Sequence, residues 1–317
     1  MALLKRGEVL DDRKVVSQGI ISGLIYLLLY FLFITQIPLI NLLALLTLPL
    51  PIIYFTAKYG VKPGLVVTAV VGLIGTFLSA GLLLLPVGFA AIGLAVGHYQ
   101  HKRRSGIERL LAAIIPTFLL LVIGYVLLAT LYDLSFVDSV RGSMQDTQQL
   151  AERFGVDVYD NELITAYTAF LESLMTLVLL IMATVYAFII YGGSVLLFNR
   201  IGMDYHKLPK FRYWEFPRFV LVLYFIFWFL AILPFEAGSY MDSASQVGFF
   251  TISILLIIQA LSLFVTYLVY KKVSKTMRVL LVIAALLSIM LLPLLIYIVR
   301  IIGAFDMIFR IRDRLQT

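Results

Sequence analysis

Cysteine is absent from all 317 residues, so the chain has no disulfide, no thiolate metal site and no cysteine nucleophile. Charge is scarce too: Asp, Glu, Lys and Arg together make up 14%, against about 25% in a soluble domain. With 62% hydrophobic residues and a mean hydropathy of +1.02, the chain cannot cover itself with polar groups in water. Catalytic signatures are missing as well. There is no GxxxxGK phosphate loop, no GxGxxG after a strand, no HExxH and no GxSxG. His98 and His101 form an HxxH pair, but Lys102, Arg103 and Arg104 beside them oppose a cation, and no third ligand is near. No cofactor or metal is implied, and the chain is read as non-enzymatic.

What the sequence does have is apolar runs, at 17–37, 39–57, 64–80, 82–98, 110–131, 163–198, 217–235, 244–270 and 277–302. A membrane-spanning helix needs about 20 residues. The expected fold is therefore all-α, a polytopic transmembrane helix bundle of eight or nine hydrophobic segments, with residues 1–317 as one integral membrane domain. The first run is long, lacks a small-residue cleavage site and follows a charged lead, so it reads as a span rather than a signal peptide.

The net charge of +7 raises the question of nucleic acid, and its distribution answers it. Of the 25 Lys and Arg, 19 fall in five places at the ends of apolar runs: Lys5 to Lys14, Lys58 and Lys62, His98 to Arg109, Arg200 to Arg218, and Lys271 to Arg278. That is the positive-inside pattern of cytoplasmic loops in a bacterial cell membrane, not a phosphate-binding face. Residues 133–162 carry seven acids against Arg141 and Arg153, which places this acidic loop outside. Met144, Gln148, Ala151 and Phe154 within it approach helical spacing and predict a short surface helix. The tail, 303–317, is amphipathic: Asp306 and Arg310 stand four apart and can pair on one helix face. Nine spans put this arginine-bearing tail outside, whereas eight put both ends inside; the sequence leaves that parity open.

A polar residue within a span is costly and often marks a site. Glu172 is the one acid well inside an apolar run. Tyr167 and Thr176 flank it at helical spacings. Gln259 lies mid-run and forms a stripe with Ser262 and Thr266; Gln36 and Asn41 flank the second run. Such amides and hydroxyls glue helices together, or they converge on a small polar ligand below the outer surface. Gly19 and Gly23 form a GxxxG pair suited to close helix packing or to docking another membrane protein. Phe211 to Arg218 is an aromatic entry into a span, with Pro217 at a helix start.

Three of these elements carry a resemblance. The Leu48-Pro49-Leu50-Pro51 turn, the Trp214-Glu215-Phe216-Pro217-Arg218 entry and the Gly303, Asp306, Phe309, Arg310 tail resemble the YybS family of bacterial multi-pass membrane proteins, a domain of unknown function. That family is similar to the substrate-binding S components of energy-coupling-factor transporters and to MreD-like proteins. The resemblance implies a pocket near the outer face, here Glu172, Gln259, Asn41, Tyr167 and Thr176, and a small-residue docking face, here Gly19 and Gly23. It also implies a membrane coupling subunit and an ATPase as partners, since the chain has no ATPase motif of its own. This chain is longer than an S component, has more apolar runs and matches no vitamin-specific pocket motif, so the pocket residues rest on their own polarity within the runs. Two expectations follow: a ligand-binding transporter subunit, or a non-catalytic scaffold or regulatory protein of the cell envelope.

Overall fold

The computed structural model describes residues 12–35, 37–79, 83–132, 135–154, 160–236 and 239–316; Lys5, Arg6, Gln36, Asp133 and Asp157 lie outside them. Among the described residues every regular element is helical: α1 (Asp12–Ile34), α2 (Pro38–Thr47), α3 (Leu50–Tyr59), α4 (Val61–Leu78), α5 (Leu84–His101), α6 (Gly106–Tyr132), α7 (Phe136–Arg153), α8 (Asn161–Ile201), α9 (Phe219–Ile232), α10 (Tyr240–Tyr270), α11 (Lys275–Leu291), α12 (Pro293–Phe309) and α13 (Ile311–Gln316). A single 3-10 turn occupies Phe211–Tyr213.

Among the described residues, six helical segments are long and apolar enough to cross a membrane: α1, the α2–α3 pair, α4, α6, α8 and α10. Eight or nine were expected, and the shortfall has local causes. α9 is apolar throughout, but its 14 residues reach only about 21 Å of a hydrocarbon core about 30 Å thick. The 277–302 run is divided in two. Leu292 takes an extended conformation (φ −122°, ψ 91°) and Pro293 opens a new helix. A proline disfavours helical backbone in the residue before it and has no N–H to donate. The 82–98 run becomes α5, whose last turn carries the polar His98, Gln100 and His101.

The chain divides into two compact units, residues 1–135 with 179–208 and residues 136–178 with 209–317. In the first, α1 and α4 run parallel: Gly19 faces Val67 and Gly23 faces Val71. α3 and α5 run parallel as well, with Gly93 on Ile52 and Gly97 on Thr56. A Cβ on Gly97 would stand 2.6 Å from the Thr56 Cβ and 2.8 Å from the Ile53 carbonyl oxygen, so only glycine allows that approach. Two clusters fill this unit, one around Tyr26, Ile52 and Ile92 and one around Ile53, Val96, Ile190 and Phe198.

In the second unit α10 is the central helix, with 56% of its spanning window buried, the largest share of the six. α12 lies along it in constant register: Arg300 meets Ser253, Gly303 meets Leu256, and Asp306 meets Gln259. The offset is the same each time, so α10 and α12 point the same way, and α11 between them must bring the chain back. The 277–302 run is thus a reversal rather than one span. It returns the tail to the end of this unit that holds Phe211–Phe216. α7 is the helix expected in the acidic segment, now 18 residues long. Its Arg141 donates to the Thr168 hydroxyl of α8 at 3.4 Å.

Candidate functional site

The buried polar groups gather into two networks, one in each unit, and each is centred on an arginine. In the first unit α6 opens at Gly106, where an added Cβ would stand 2.7 Å from the Leu208 backbone nitrogen. The glycine lets the Lys207–Leu208 backbone lie against the helix start. One turn on, Arg109 is fully buried. It donates to the Gln100 side-chain carbonyl, to the Tyr191 hydroxyl at 3.0 Å and to the His206 carbonyl at 2.9 Å. Its guanidinium lies 4.8 Å from the Tyr191 ring centroid, 5.5 Å from Tyr205 and 5.6 Å from Phe198. Gln100 in turn donates to the Asp204 carbonyl at 2.7 Å, and the Leu208 N–H donates to Tyr191 at 3.0 Å. The charge is held by π faces and neutral oxygens, and together they pin residues 204–208.

The second network carries the polar stripe of α10. Ser262 donates to the Phe211 and Trp214 carbonyls at 2.9 and 2.8 Å, and Thr266 donates to Arg212 at 3.0 Å. Gln259 accepts from the Phe216 N–H at 3.1 Å and donates to Asp306 at 2.6 Å. Asp306 also takes the Arg312 guanidinium, at 2.8 Å from Nη2 and 3.1 Å from Nε, and the Arg312 backbone N–H at 3.2 Å. Arg312 Nη1 completes the ring on the Trp214 carbonyl at 2.8 Å. Asp306 and Arg312 are 2% and 3% exposed, so this is a buried salt bridge. The pairing of Asp306 with Arg310 expected from helical spacing does not form. Arg310 ends α12 in the left-handed region (φ 46°, ψ 51°), which folds α13 back and delivers Arg312 to the carboxylate instead.

The sequence-derived candidates are scattered. Gln259 belongs to the network just described, and its amide is engaged on both atoms. Asn41 sits in the other unit and donates to the Phe33 carbonyl, closing the turn into α2. Tyr167, Glu172 and Thr176 are exposed on α8. Arg141 of α7 contacts Thr168, one turn before Glu172 on α8. The buried carboxylate of the chain is Asp306, not Glu172, among the described residues. Gly19 and Gly23 are buried against Phe55, Val67 and Val71 of their own unit. The apolar grooves of the two units, one along α1 and α4 and one along α10 to α13, are lined by neither Glu172 nor Gln259.

Sequence reasoning passed over Arg300. It is 5% exposed, donates to the Ser253 hydroxyl at 3.0 Å and lies between the Tyr297 and Phe249 rings at 4.5 and 5.2 Å. Its Nε is buried without a partner. The signal was available: Pro293 ends one helix and begins another, which moves Arg300 from the rim of a long run to the second turn of a new one.

A chain whose described residues form helices long and apolar enough to span a bilayer, with aliphatic faces turned outward, is an integral membrane protein. The comparisons specify which kind. Residues 24–307 match the family described as predicted membrane protein (DUF2232), and the chain belongs to that family. The uncharacterized protein YybS of Bacillus subtilis (strain 168) is 26% identical to it over 314 residues, covering 95% of this chain and 99% of that protein. No solved structure matches it.

Proposed function

We propose that this chain is a non-catalytic scaffold or regulatory component of the cell envelope, resident in the bacterial plasma membrane with its basic loops and both ends in the cytoplasm. The observation that carries this reading is that Gln259 is buried and bonded through both amide atoms within the protein, to the Phe216 N–H and to Asp306. Asn41 donates its amide N–H to the Phe33 carbonyl at the turn into its own helix. What remains available is surface, and the exposed positions of α8, with Glu172 and Thr176 on one face and Tyr167 on the opposite one, are where a second membrane polypeptide would meet the chain. A photo-crosslinking amino acid at 167, 172 or 176, activated in intact cells, should form adducts with another polypeptide. Absence of adducts at all three positions, combined with a soluble solute that raises the melting temperature of the purified protein, would overturn the proposal.

The second reading is the substrate-binding subunit of a transporter, energised by a membrane coupling subunit and an ATPase. Arg300 favours it, as a guanidinium inside the helical unit with no carboxylate bonded to it and a buried Nε without a partner. A residue of that kind is a site candidate by default, and it would select an anionic solute. Loss of solute-induced stabilisation in Arg300→Met, with the fold retained, would decide for this reading.

A further inference from the structure

The face of the first unit formed by α1 and α4 holds a groove of about 440 Å³, floored by Gly19, Gly23 and Phe55 and walled by Ile20, Val66 and Val70. It runs from Val15 and Pro63 at one end to Leu27 and Ile74 at the other. Twelve residues of helix are about 18 Å, close to the roughly 15 Å of hydrocarbon in one leaflet. A trough about one leaflet long with a wholly apolar lining is matched by a single acyl chain lying along it.

Charge marks one end. Because α1 and α4 run parallel, both begin at the same end of the groove, and α3 finishes there. Among the described residues, Arg13, Lys14, Lys58 and Lys62 stand at that end, with Asp12 as the one carboxylate in the first turn of α1. Lys58 is exposed, donates to the Tyr54 hydroxyl at 3.2 Å and lies 5.3 Å from the Tyr59 ring centroid. Tyr54 reaches on to Gln18 of α1 at 3.5 Å. A basic, hydroxyl-bearing mouth over an aliphatic trough is complementary to a phosphate head carrying an acyl chain.

We propose that this groove is a specific site for an anionic phospholipid of the cytoplasmic leaflet, with one acyl chain along α1 and α4 and its phosphate at Lys58 and Lys62. Native mass spectrometry of the full chain tests it, on protein released from detergent micelles containing equal phosphatidylglycerol and phosphatidylcholine of identical acyl chains. Phosphatidylglycerol should be retained over phosphatidylcholine by about 10-fold or more. That preference should fall several-fold in the Lys58→Gln, Lys62→Gln double variant. Retention of either lipid should fall in Ile20→Trp, which fills the trough from an exposed wall. Equal retention of the two lipids by the unaltered chain would overturn the proposal, with no variant needed. So would a preference that survives both variants, or a lipid-free dimer that Ile20→Trp converts to monomer. The result is independent of whether crosslinks form on α8.

Discussion

The loop between α8 and α9 is fastened twice, and by opposite physical means. Its first part, residues 204–208, is held in the first unit by Arg109, which has oxygens and aromatic rings around it but no carboxylate bonded to it. Its second part, residues 211–216, is held in the other unit by Arg312, whose charge is cancelled by Asp306. The chain changes unit at Leu208–Pro209, between the two fastenings. The buried Arg109 guanidinium lies against the faces of Tyr191, Phe198 and Tyr205, whose π electrons soften its desolvation. The Asp306–Arg312 pair is neutral as a whole but fragile in its parts, because deleting either partner strands the other. One fastening therefore has a single charge, with Gln100 and Tyr191 as its neutral partners, and the other a matched pair bonded to a glutamine.

The largest expected effect follows from that asymmetry. Asp306→Ala strands Arg312 among carbonyls and should cost about 3–5 kcal/mol, read as a lowered midpoint of unfolding in detergent. Trypsin should then cut faster after Arg212 and no faster after Lys207. Removing both charges, with Asp306→Leu and Arg312→Leu together, should recover most of the loss. A single substitution within about 1 kcal/mol of the parent chain would mean the pair is not buried as described. Arg109→Met comes next, at about 1–3 kcal/mol, since it strands only neutral groups, Gln100, Tyr191 and the His206 carbonyl. The proteolytic signature should invert, with faster cleavage after Lys207 and unchanged cleavage after Arg212. Gln259→Leu should cost less again, about 1–2 kcal/mol, because Asp306 keeps its arginine while the Phe216 N–H loses its acceptor.

Helices and their rough limits were legible because long apolar runs leave the backbone no partner but itself. The α10 stripe of Gln259, Ser262 and Thr266 was visible for the same reason. Its recipients were not, since backbone carbonyls of a distant loop have no sequence signature. Asp306 was misassigned to Arg310 because spacing assumes an unbroken helix, and nothing about an arginine announces a left-handed turn that glycine usually supplies. The division of 277–302 was encoded in Pro293 and obscured by the hydrophobicity on both sides of it. Glu172 drew attention by its type and position. Its exposure depends on which face of a 41-residue helix turns inward, a matter decided by packing around Ile164 and Thr168.

The smallest effect expected is at Glu172, and it sets the scale for the other three. Neither network includes this carboxylate, and it is exposed on α8 one turn beyond Thr168. Exchanging it for glutamine removes a charge already in contact with solvent or headgroups, so stability should change by no more than about 0.5 kcal/mol in either direction. Neither tryptic site in the loop should respond. Glu172→Leu then separates a rim position from a deeper one. At the rim it should remain within the same narrow range, whereas a carboxylate held inside the hydrocarbon costs about 2.5–3.5 kcal/mol, and its replacement by leucine would raise the unfolding midpoint clearly. A rise of that size would place Glu172 within the membrane, and with it the Thr168 and Arg141 contact that ties α7 to α8.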